Sequence, residues 1–458
     1  MARFLDLRRG VYRDSVQLLQ VSQALRGVPG VRAALVAMAT ELNLDLAAGM
    51  GFPPAPGATP NDLLVAIDAD GEPVLATALK ALEEELREAA TGSGGASAEV
   101  APRSTGAAVR RASADVVLVS TPGRYAVLDA LDALEAGASV LLFSDNVPVE
   151  QEVLLKERAA ERGLLVMGPD CGTAVLGGVG LGFANVVLPG PVGLVAASGT
   201  GAQQVMCLLD MAGVGVSHCL GVGGRDLSAA VAGRSTLAAL DALDADPATR
   251  LIVLVSKPPD PEVAAQVAGH AATLGTPMIS ALLGPGQPDL TAAVERALGA
   301  LGQAVPAAWP SWHPESSPAA RPGGLVHGLF AGGTLRDEAA AIVGDRGRLV
   351  DLGADEYTRG RPHPMIDNML RLERMFAAAA DPSCGVLLLD VVLGYAADPD
   401  PAATFAPAIA HCGVPVVISL TGTLGDPQGL HRQAEALRDA GATVFLSNAE
   451  AARYAVRR

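Results

Sequence analysis

Residues 193–210 read GLVAASGTGAQQVMCLLD, and this stretch decides how the rest of the sequence is interpreted. A short apolar run ends in Ser198, Gly199, Thr200 and Gly201, and apolar side chains at helical spacing follow. The pattern predicts a strand, a tight glycine turn and a helix. The backbone N–H groups of such a turn and the positive end of the helix dipole favour an anion such as phosphate. The alternative is an ordinary strand-to-helix turn that uses glycine for its geometry, because a short glycine-rich loop is a weak motif.

The composition indicates an acidic α/β protein of several domains. The chain has 458 residues, enough for about two to four domains. Its 33 Lys and Arg residues against 49 Asp and Glu residues give a formal net charge of −16. Such a charge argues against nucleic-acid binding and against a basic membrane-binding surface. Because the sequence shows neither an apolar run of about 18 residues nor the apolar core of a signal peptide, we expect a cytoplasmic protein that binds neither nucleic acid nor membrane.

The cysteines give no sign of a structural metal site. Five of them are scattered along the chain, at positions 171, 207, 219, 384 and 412, and none has C-x-x-C spacing. We therefore expect neither a disulfide framework nor a zinc site, and we assign no metal ligands.

The order of the apolar segments predicts an α/β fold. We expect three Rossmann-like or flavodoxin-like parallel-sheet domains, over residues 114–188, 190–304 and 323–458, and a small N-terminal α/β domain over residues 1–95. Strands that alternate with helices indicate parallel sheets, whose ligands bind beyond the carboxyl ends of the strands. Residues 91–113, rich in Gly, Ser and Ala, and residues 305–322, rich in Pro, are predicted linkers. We assign the N-terminal domain no chemistry and interpret it as an assembly or cap domain.

Several motifs resemble succinyl-CoA synthetase. GPDCGT at 168–173, ASGT at 197–200 and GVGG at 221–224 resemble its α-subunit, so that 114–188 looks like the CoA-binding domain and 190–304 like the ligase domain. The segment from Gly347 onward is similar to the C-terminal domain of the β-subunit. Within this superfamily, FSDNV at 143–147, GGRDLS at 223–228, VSKPP at 255–259 and GRPHPMID at 360–367 identify the chain as similar to FdrA proteins over nearly its whole length.

The resemblance to FdrA proteins implies a reaction class. These proteins are often described as acyl-CoA synthetases, and the family is also linked to oxamate carbamoyltransferase, a multi-subunit enzyme of anaerobic allantoin breakdown. The resemblance thus implies a subunit that transfers a carbamoyl group between oxalurate and phosphate, giving oxamate and carbamoyl phosphate. Two alternatives stay open. One is an NDP-forming acyl-CoA synthetase subunit that works with a separate nucleotide-binding chain, and the other is a non-catalytic scaffold subunit.

Departures from the synthetases bear on cofactors and partners. The sequence contains no segment like their nucleotide-grasp domain, and residues 282–288 read LLGPGQP where they carry the phosphorylated histidine. No glycine-rich turn for the CoA diphosphate precedes Val116, so we do not expect CoA to bind tightly. We expect no resident cofactor, phosphate or carbamoyl phosphate as substrate, and other carbamoyltransferase subunits as partners in an oligomer.

The resemblance also implies a phosphate site. Two helix N-termini flank phosphate in the synthetases, and their counterparts here are Ser198–Gly201 and Gly353–Thr358. We assign phosphate binding to Ser198, Gly199, Thr200 and Gly201, and also to Gly223 and Gly224. Arg225 is a predicted catalytic residue whose planar guanidinium matches phosphate or a carboxylate. The alternative for Arg225 is a structural pair with Asp226.

A second group of candidates lies around a basic, proline-flanked loop. Arg361 and His363 are predicted catalytic residues, with His363 as a general acid or base. The two arginines of the loop suit an anionic substrate such as oxalurate, although a solvated surface loop is the alternative. The predicted substrate-binding residues are Asp170, Cys171, Gly353 and Arg359. Cys171 is also interpretable as a small residue packed beneath its loop.

Overall fold

The computed structural model describes residues 2–458 apart from Tyr12, Asp14, residues 92–101, Pro285, Arg359 and Gly360. The chain forms two compact units. The small unit contains Met1–Val100 and Thr358–Pro362, and the large unit contains Ala101–Tyr357 and His363–Arg458. The described residues include no helix long and apolar enough to cross a membrane. The four predicted domain ranges stay predictions.

The small unit contains an antiparallel sheet in the order β1-β3-β2. Its elements are β1 (Ala2–Arg8), α1 (Ser15–Arg26), β2 (Val31–Met38), α2 (Glu41–Gly49), β3 (Leu63–Ala69) and α3 (Glu72–Thr91). The central strand β3 is buried on both faces, because α1 and α3 pack on one face while the α2 segment covers the other. Strand β1 was not predicted, since its apolar residues are interrupted by Arg3, Asp6 and Arg8.

The large unit begins with a short parallel sheet in the order β4-β5-β6. Its elements are α4 (Thr105–Ala112), β4 (Val116–Val119), α5 (Gly123–Glu135), β5 (Ser139–Leu142), α6 (Val149–Ala160) and β6 (Val166–Met167). Helix α4 lies where the sequence predicts a linker. The side chain of Ser104 caps α4 by accepting from Ala107 N–H at 3.2 Å, and Gly106 N–H donates to Asp132 on α5 at 2.6 Å. Contacts with another element therefore stabilise a helix that local composition does not indicate.

A six-stranded sheet follows, in the order β12-β11-β9-β10-β7-β8. Its strands are β7 (Thr173–Leu176), β8 (Val179–Gly182), β9 (Pro189–Ala196), β10 (Val216–Gly221), β11 (Leu251–Ser256) and β12 (Met278–Leu282). Strands β9 to β12 are parallel, whereas β7 and β8 form an antiparallel edge. Its helices are α7 (Gly199–Met211), α8 (Arg234–Ala245), α9 (Pro261–Ala271) and α10 (Leu290–Ala300).

The last sheet also has six strands, in the order β13-β18-β17-β16-β14-β15. They are β13 (Ser311–Trp312), β14 (Leu325–Phe330), β15 (Gly347–Asp351), β16 (Cys384–Val392), β17 (Val416–Thr421) and β18 (Thr443–Phe445). Only β13 pairs antiparallel among the described ladders of this sheet, and it lies inside the second predicted linker. The helices are α11 (Gly333–Val343), α12 (Asp355–Thr358), α13 (Met369–Ala380), α14 (Pro401–Ala410), α15 (Leu430–Asp439) and α16 (Asn448–Arg457), and a 3-10 turn spans Gly344–Arg346.

One hydrophobic core joins the two six-stranded sheets. Helix α7 belongs to it and is buried along residues 201–209. On α7, Gln204 donates to Leu446 O, directly after β18, at 3.0 Å. Gln203 donates to Asn185 at 3.0 Å, and Asn185 in turn donates to Leu393 O, directly after β16, so buried hydrogen bonds fix α7 against the last sheet. The mixed α/β architecture with parallel sheets confirms the predicted fold class.

Candidate functional site

The site lies where the first turns of α7 and α11 meet. Ser198, the N-cap residue of α7, accepts from Gly201 N–H at 3.0 Å and donates to Thr334 Oγ1 on α11 at 2.5 Å. The reciprocal contact is just as close. If Gly332, the N-cap residue of α11, carried a side chain, its Cβ atom would lie 2.6 Å from Thr200 Oγ1 on α7. Each N-cap residue is therefore beside the second residue of the other helix.

This arrangement has a clear electrostatic consequence. Each helix N-terminus carries roughly half a positive charge, and the two here lie side by side. An anion between or above them relieves the repulsion and accepts from N–H groups that have no carbonyl partner in a preceding turn. The predicted glycine turn at Ser198–Gly201 is thus one half of a candidate anion site, and the first turn of α11, at Gly332–Thr334, is the other half. We call these two turns together the cradle.

The second half of the cradle differs from the prediction. The resemblance placed the partner helix at Gly353–Thr358, but the helix whose first turn contacts Ser198 is α11, which begins at Gly333. Gly353 still lies nearby, since a Cβ on it would lie 2.3 Å from Ala331 O and 2.8 Å from His363 Nε2. Helix α12 has only four residues, Asp355–Thr358, and is too short to supply a comparable dipole.

Charged side chains surround the first turn of α11. Lys257 follows β11, and its ammonium group pairs with Asp337 at 3.3 Å. The same Lys257 Nζ would lie 2.8 Å from a Cβ on Gly333. Asp351, at the end of β15, accepts from Gly353 N–H at 2.9 Å. Burial raises the pKa of the Asp351 carboxyl, while Gly353 N–H and the Lys257 charge oppose that rise. The site therefore combines the Lys257 ammonium with the Asp351 carboxyl, whose charged form is disfavoured by burial.

A buried ion pair fixes the loop before α11. Asp390 accepts from Ala331 N–H and from Gly332 N–H, both at 2.8 Å. It also accepts from Arg371 Nη2 at 2.9 Å, and both side chains are almost fully buried. Burial raises the pKa of Asp390 and lowers that of Arg371, and the attraction between the two charges opposes both shifts. Asp390 thus orients the loop that leads into the α11 N-terminus.

Arg225 is fixed by a buried cluster on α6. Its Nε donates to Glu152 Oε2 at 3.1 Å, and its Nη2 donates to Val147 O at 2.7 Å. Asp226 pairs with Lys156 at 2.7 Å rather than with Arg225, and Lys156 also donates to Glu152 at 2.8 Å. The side chain of Arg225 remains 44% exposed, so part of the guanidinium is accessible to a ligand.

The two predicted loops at 168–171 and 223–226 are in contact. A Cβ on Gly223, which has a φ of +87°, would lie 2.5 Å from Pro169 O. Cys171 is buried beneath this contact, and its thiol donates to Gly221 O at 3.4 Å. Burial raises the pKa of the Cys171 thiol to about 12. A thiol in this environment stays protonated and packs as a small apolar side chain.

Asp170, next to Cys171, has a left-handed backbone with a φ of +55°. Asp170 is exposed to solvent. The desolvation caused by the surrounding protein, together with the charges of Asp145 and Asp355, raises the pKa of Asp170 to about 6. Arg225 and Lys257 act in the opposite direction.

His363 is neutral at physiological pH. Its Nδ1 accepts from Met365 N–H at 3.2 Å, which leaves the ring proton on Nε2, and the ring lies 5.7 Å from that of Phe183. Desolvation, with a smaller effect of the Arg371 charge, lowers the pKa of His363 to about 4. His363 is therefore placed to donate a hydrogen bond from Nε2.

The arginine loop divides between the two units. Arg361 belongs to the small unit and His363 to the large one. Arg359 lies outside the described residues. The assignments of Arg361 and Arg359 to a substrate carboxylate stay predictions.

The sequence interpretation missed three contributors to the site: Gly332, Thr334 and Asp351. A signal for the first two exists, because residues 331–334 read AGGT directly before a helical run, as ASGTG does at 197–201. The described residues contain no group of three or more His, Cys, Asp or Glu side chains suited to a metal ion.

The fold defines a CoA-ligase-like α/β protein in which the first turns of α7 and α11 meet. A family model described as CoA-ligase matches residues 329–458, and one described as AllF, heavy metal-associated domain, matches residues 1–102. The chain is 34% identical to YahF of Escherichia coli over 96% of both chains. The chain therefore belongs to the FdrA-like family of YahF, within the succinyl-CoA synthetase-like superfamily.

Two ligase subunits are more distant relatives. The chain is 30% identical to subunit alpha 2 of an ADP-forming succinate–CoA ligase of Archaeoglobus fulgidus, over 37% of this chain and 63% of that protein. It is 25% identical to the alpha subunit of malate–CoA ligase of Methylorubrum extorquens, over 43% of this chain and 65% of that protein. The chain thus spans less than two thirds of either ligase subunit.

The N-terminal match names a metal, but the residues present do not fit one. Residues 1–102 contain neither cysteine nor histidine. Thiolate and imidazole are the ligands that soft and borderline metal ions prefer. The match over residues 1–102 therefore describes the type of domain, and we propose no metal-dependent step there.

Proposed function

We propose that this chain is a subunit of oxamate carbamoyltransferase and transfers a carbamoyl group between oxalurate and phosphate. The observation that carries the proposal is the reciprocal contact between the N-termini of α7 and α11, with Ser198 Oγ 2.5 Å from Thr334 Oγ1. Lys257 lies beside the same turn, where it also pairs with Asp337 at 3.3 Å. Such a cradle suits phosphate or the phosphoryl group of an acyl phosphate. The substrate itself comes from the family resemblance.

The proposed reaction balances without a cofactor. A phosphate oxygen attacks the terminal ureido carbonyl carbon of oxalurate, and the bond from that carbon to the oxamate nitrogen breaks. The proton of hydrogen phosphate ends on that nitrogen. Oxalurate and hydrogen phosphate thus become oxamate and carbamoyl phosphate with no change in total charge.

The site offers groups for each part of this reaction. The turn at Ser198–Gly201 and the first turn of α11 bind the phosphate. Arg225 and the neutral His363 donate to the carbonyl oxygen on which charge develops, and a neutral imidazole is able to polarise a carbonyl in this way. Arg361 and Arg359 are proposed to pair with the oxalurate carboxylate through their planar guanidinium groups.

CoA fits the chain poorly. The sheet that contains β4 begins at Val116, and within the described residues no strand pairs with the free edge of β4. The turn after β4 leads into α5 at Gly123, where a Cβ would lie 2.0 Å from Asp145 O. This glycine therefore packs against backbone and does not open a pocket for a diphosphate.

An NDP-forming ligase subunit is the second candidate function. It is favoured by the CoA-ligase match over residues 329–458 and by the two ligase subunits among the relatives. In this case the cradle would bind the phosphate released from an acyl phosphate, and a separate chain would bind the nucleotide.

One experiment separates the candidates. Carbamoyl phosphate is incubated with the chain, alone and co-purified with its partner subunits, and phosphate release is measured with and without oxamate. Carbamoyl transfer requires oxamate-dependent phosphate release and oxalurate formation. ATP- and CoA-dependent thioester formation without any oxamate-dependent release would instead support the ligase. Full carbamoyl transfer after bulky substitutions at both Gly199 and Gly333 would show that the chemistry resides in a partner.

A further inference from the structure

We propose that Asp170 is the catalytic residue that transfers the proton from phosphate to the leaving nitrogen. This inference rests on the proposed carbamoyl transfer, and it names the residue that performs its one proton transfer.

Three loops converge on Asp170. Its N–H donates to Ser144 O at 3.0 Å, which ties it to the loop that contains Asp145. Pro169, which precedes Asp170, contacts the loop that contains Gly223 and Arg225. This contact brings Arg225 close to Asp170. The carboxyl ends of β5, β6 and β10 precede these loops, at the sheet edges where α/β proteins bind ligands.

The carboxylate of Asp170 is free to react. Among the described residues it accepts no hydrogen bond, although Arg225 and Lys257 are near enough to affect its charge. Thr173, three residues after Asp170, lies against the first turn of α7, because a Cβ on Gly199 would lie 3.2 Å from Thr173 Oγ1. The loop that contains Asp170 therefore borders the cradle. The backbone of Asp170 has a φ of +55°, a left-handed conformation that aspartate adopts more readily than most non-glycine residues.

The charges that face Asp170 come from four segments. Asp145 and Asp355 are negative, whereas Arg225 and Lys257 are positive. Desolvation by the surrounding protein and the two neighbouring carboxylates raise the pKa of Asp170 to about 6, while Arg225 and Lys257 oppose that rise. A group with a pKa close to the operating pH accepts and returns a proton most effectively.

The proton transfer proceeds in two parts. The Asp170 carboxylate accepts the proton of hydrogen phosphate as the phosphate oxygen bonds to the carbamoyl carbon. The protonated Asp170 then donates to the nitrogen of oxamate as the carbon–nitrogen bond breaks, and the carboxylate is restored. His363 suits this role less well, because its pKa of about 4 disfavours the imidazolium that would have to form.

The test compares Asp170→Asn with the wild-type complex. Asparagine tolerates the left-handed backbone, so the loop geometry is preserved. We expect kcat for oxamate-dependent phosphate release to fall by about 10²- to 10⁴-fold, the usual contribution of general acid–base catalysis. Phosphate affinity should change by only a few fold. Asp170→Gly also suits this backbone, and added formate should restore part of its activity.

Asp145→Asn is the matched control. It removes a negative charge that raises the pKa of Asp170. We expect this variant to keep its plateau kcat and to shift the acid limb of the pH profile to lower pH. Asp170→Asn should lose that limb.

The outcomes distinguish the two proposals. Wild-type turnover with an unimpaired Asp170→Asn variant would overturn the role of Asp170 and leave carbamoyl transfer standing. An Asp170→Gly variant that formate does not rescue would also count against the proton transfer. Absence of turnover in the wild-type complex would overturn the carbamoyl transfer itself.

Discussion

At the scale of single residues, the cradle depends on contacts too close for a methyl group. A Cβ on Gly201 would lie 2.6 Å from Ser198 Oγ and 3.0 Å from Thr334 Cγ2. Ser198 Oγ donates the hydrogen bond that joins α7 to α11, and its acceptor, Oγ1, belongs to the same Thr334 side chain. The glycine is therefore needed for close approach between two helices, in addition to any role in the turn.

We predict that Gly201→Ala weakens phosphate binding at least about tenfold. The added methyl separates Ser198 from Thr334 and displaces N–H donors, and the loss of one charged hydrogen bond costs about 1.5–3 kcal/mol. Calorimetric titration with inorganic phosphate measures the effect. Gly269→Ala is the matched control, because Gly269 lies at an exposed position of helix α9 and no atom of a neighbouring element lies within 4 Å of the added carbon. Unchanged phosphate affinity in Gly201→Ala would contradict the position of the cradle.

We predict that His363 stays neutral down to a pH of about 4. Nitrogen NMR of the imidazole should show the proton on Nε2 at neutral pH, with the signals assigned by a His363→Asn variant. The usual histidine pKa is 6.5, so the unfolded chain binds this proton first as the pH falls. His363 thus contributes stability that is fully present above about 6.5 and is lost as the pH falls towards 4. A titration midpoint near 6.5 in the folded protein would contradict the described burial.

Residue identities predicted part of this site and not the rest. Ser198, Gly199, Thr200 and Gly201 were assigned to an anion site from a local pattern, and they form the first turn of α7. The protonation state of His363 was not predictable, because it depends on burial and on the charge of Arg371. Nor could the sequence show that Asp226 pairs with Lys156, since these residues lie 70 positions apart.

At the scale of the elements, α11 depends on a carboxylate from a neighbouring strand. Asp390 lies on β16 and accepts from two N–H groups of the loop between β14 and α11. The backbone at the α11 N-cap therefore has a fixed orientation. Among the described residues no side-chain hydrogen bond caps this N-terminus, although the Asp351 carboxylate and the Lys257 ammonium both lie close to Gly333.

We predict that Asp390→Asn lowers stability by about 3–5 kcal/mol, because it leaves the buried Arg371 without its counter-ion. Phosphate affinity should fall as well, since the α11 loop loses its orientation. Thermal unfolding and phosphate titration measure the two effects. Arg432→Gln serves as the control, because it breaks an exposed pair with Asp400 that contributes about 0–1 kcal/mol. Equal thermal shifts in both variants would contradict the importance of the buried pair.

The elements themselves were mostly predictable, because their apolar spacing is regular. The misplaced element was the second helix of the cradle. The resemblance directed attention to Gly353–Thr358, and in this chain that segment forms only the short helix α12. Helices α4 and α11 are held in place by contacts with residues far away in the sequence, and local sequence patterns do not predict such contacts.

At the scale of the whole molecule, the first sheet of the large unit bears on CoA binding. Its first sheet has three strands among the described residues, and β4 lies at an edge. We predict that CoA binds only weakly. A dissociation constant in the micromolar range, about −8 kcal/mol, in calorimetry of the complete complex would contradict this and favour the ligase.

The small unit allows a separate prediction. Because residues 1–102 contain no cysteine and no histidine, we expect no copper or zinc to co-purify with this part of the chain. Elemental analysis of the purified protein after dialysis measures it, and a stoichiometric metal lost upon removal of residues 1–102 would contradict it.

The hydrogen bond between Ser198 and Thr334 joins residues 136 positions apart on one polypeptide. Both halves of the cradle are therefore tethered to each other at a fixed effective concentration. A cradle assembled from two separate chains would dissociate on dilution, whereas this one keeps its geometry however dilute the protein becomes. Phosphate affinity should accordingly be the same at nanomolar and micromolar protein, and any dependence of turnover on dilution would report the loss of other subunits.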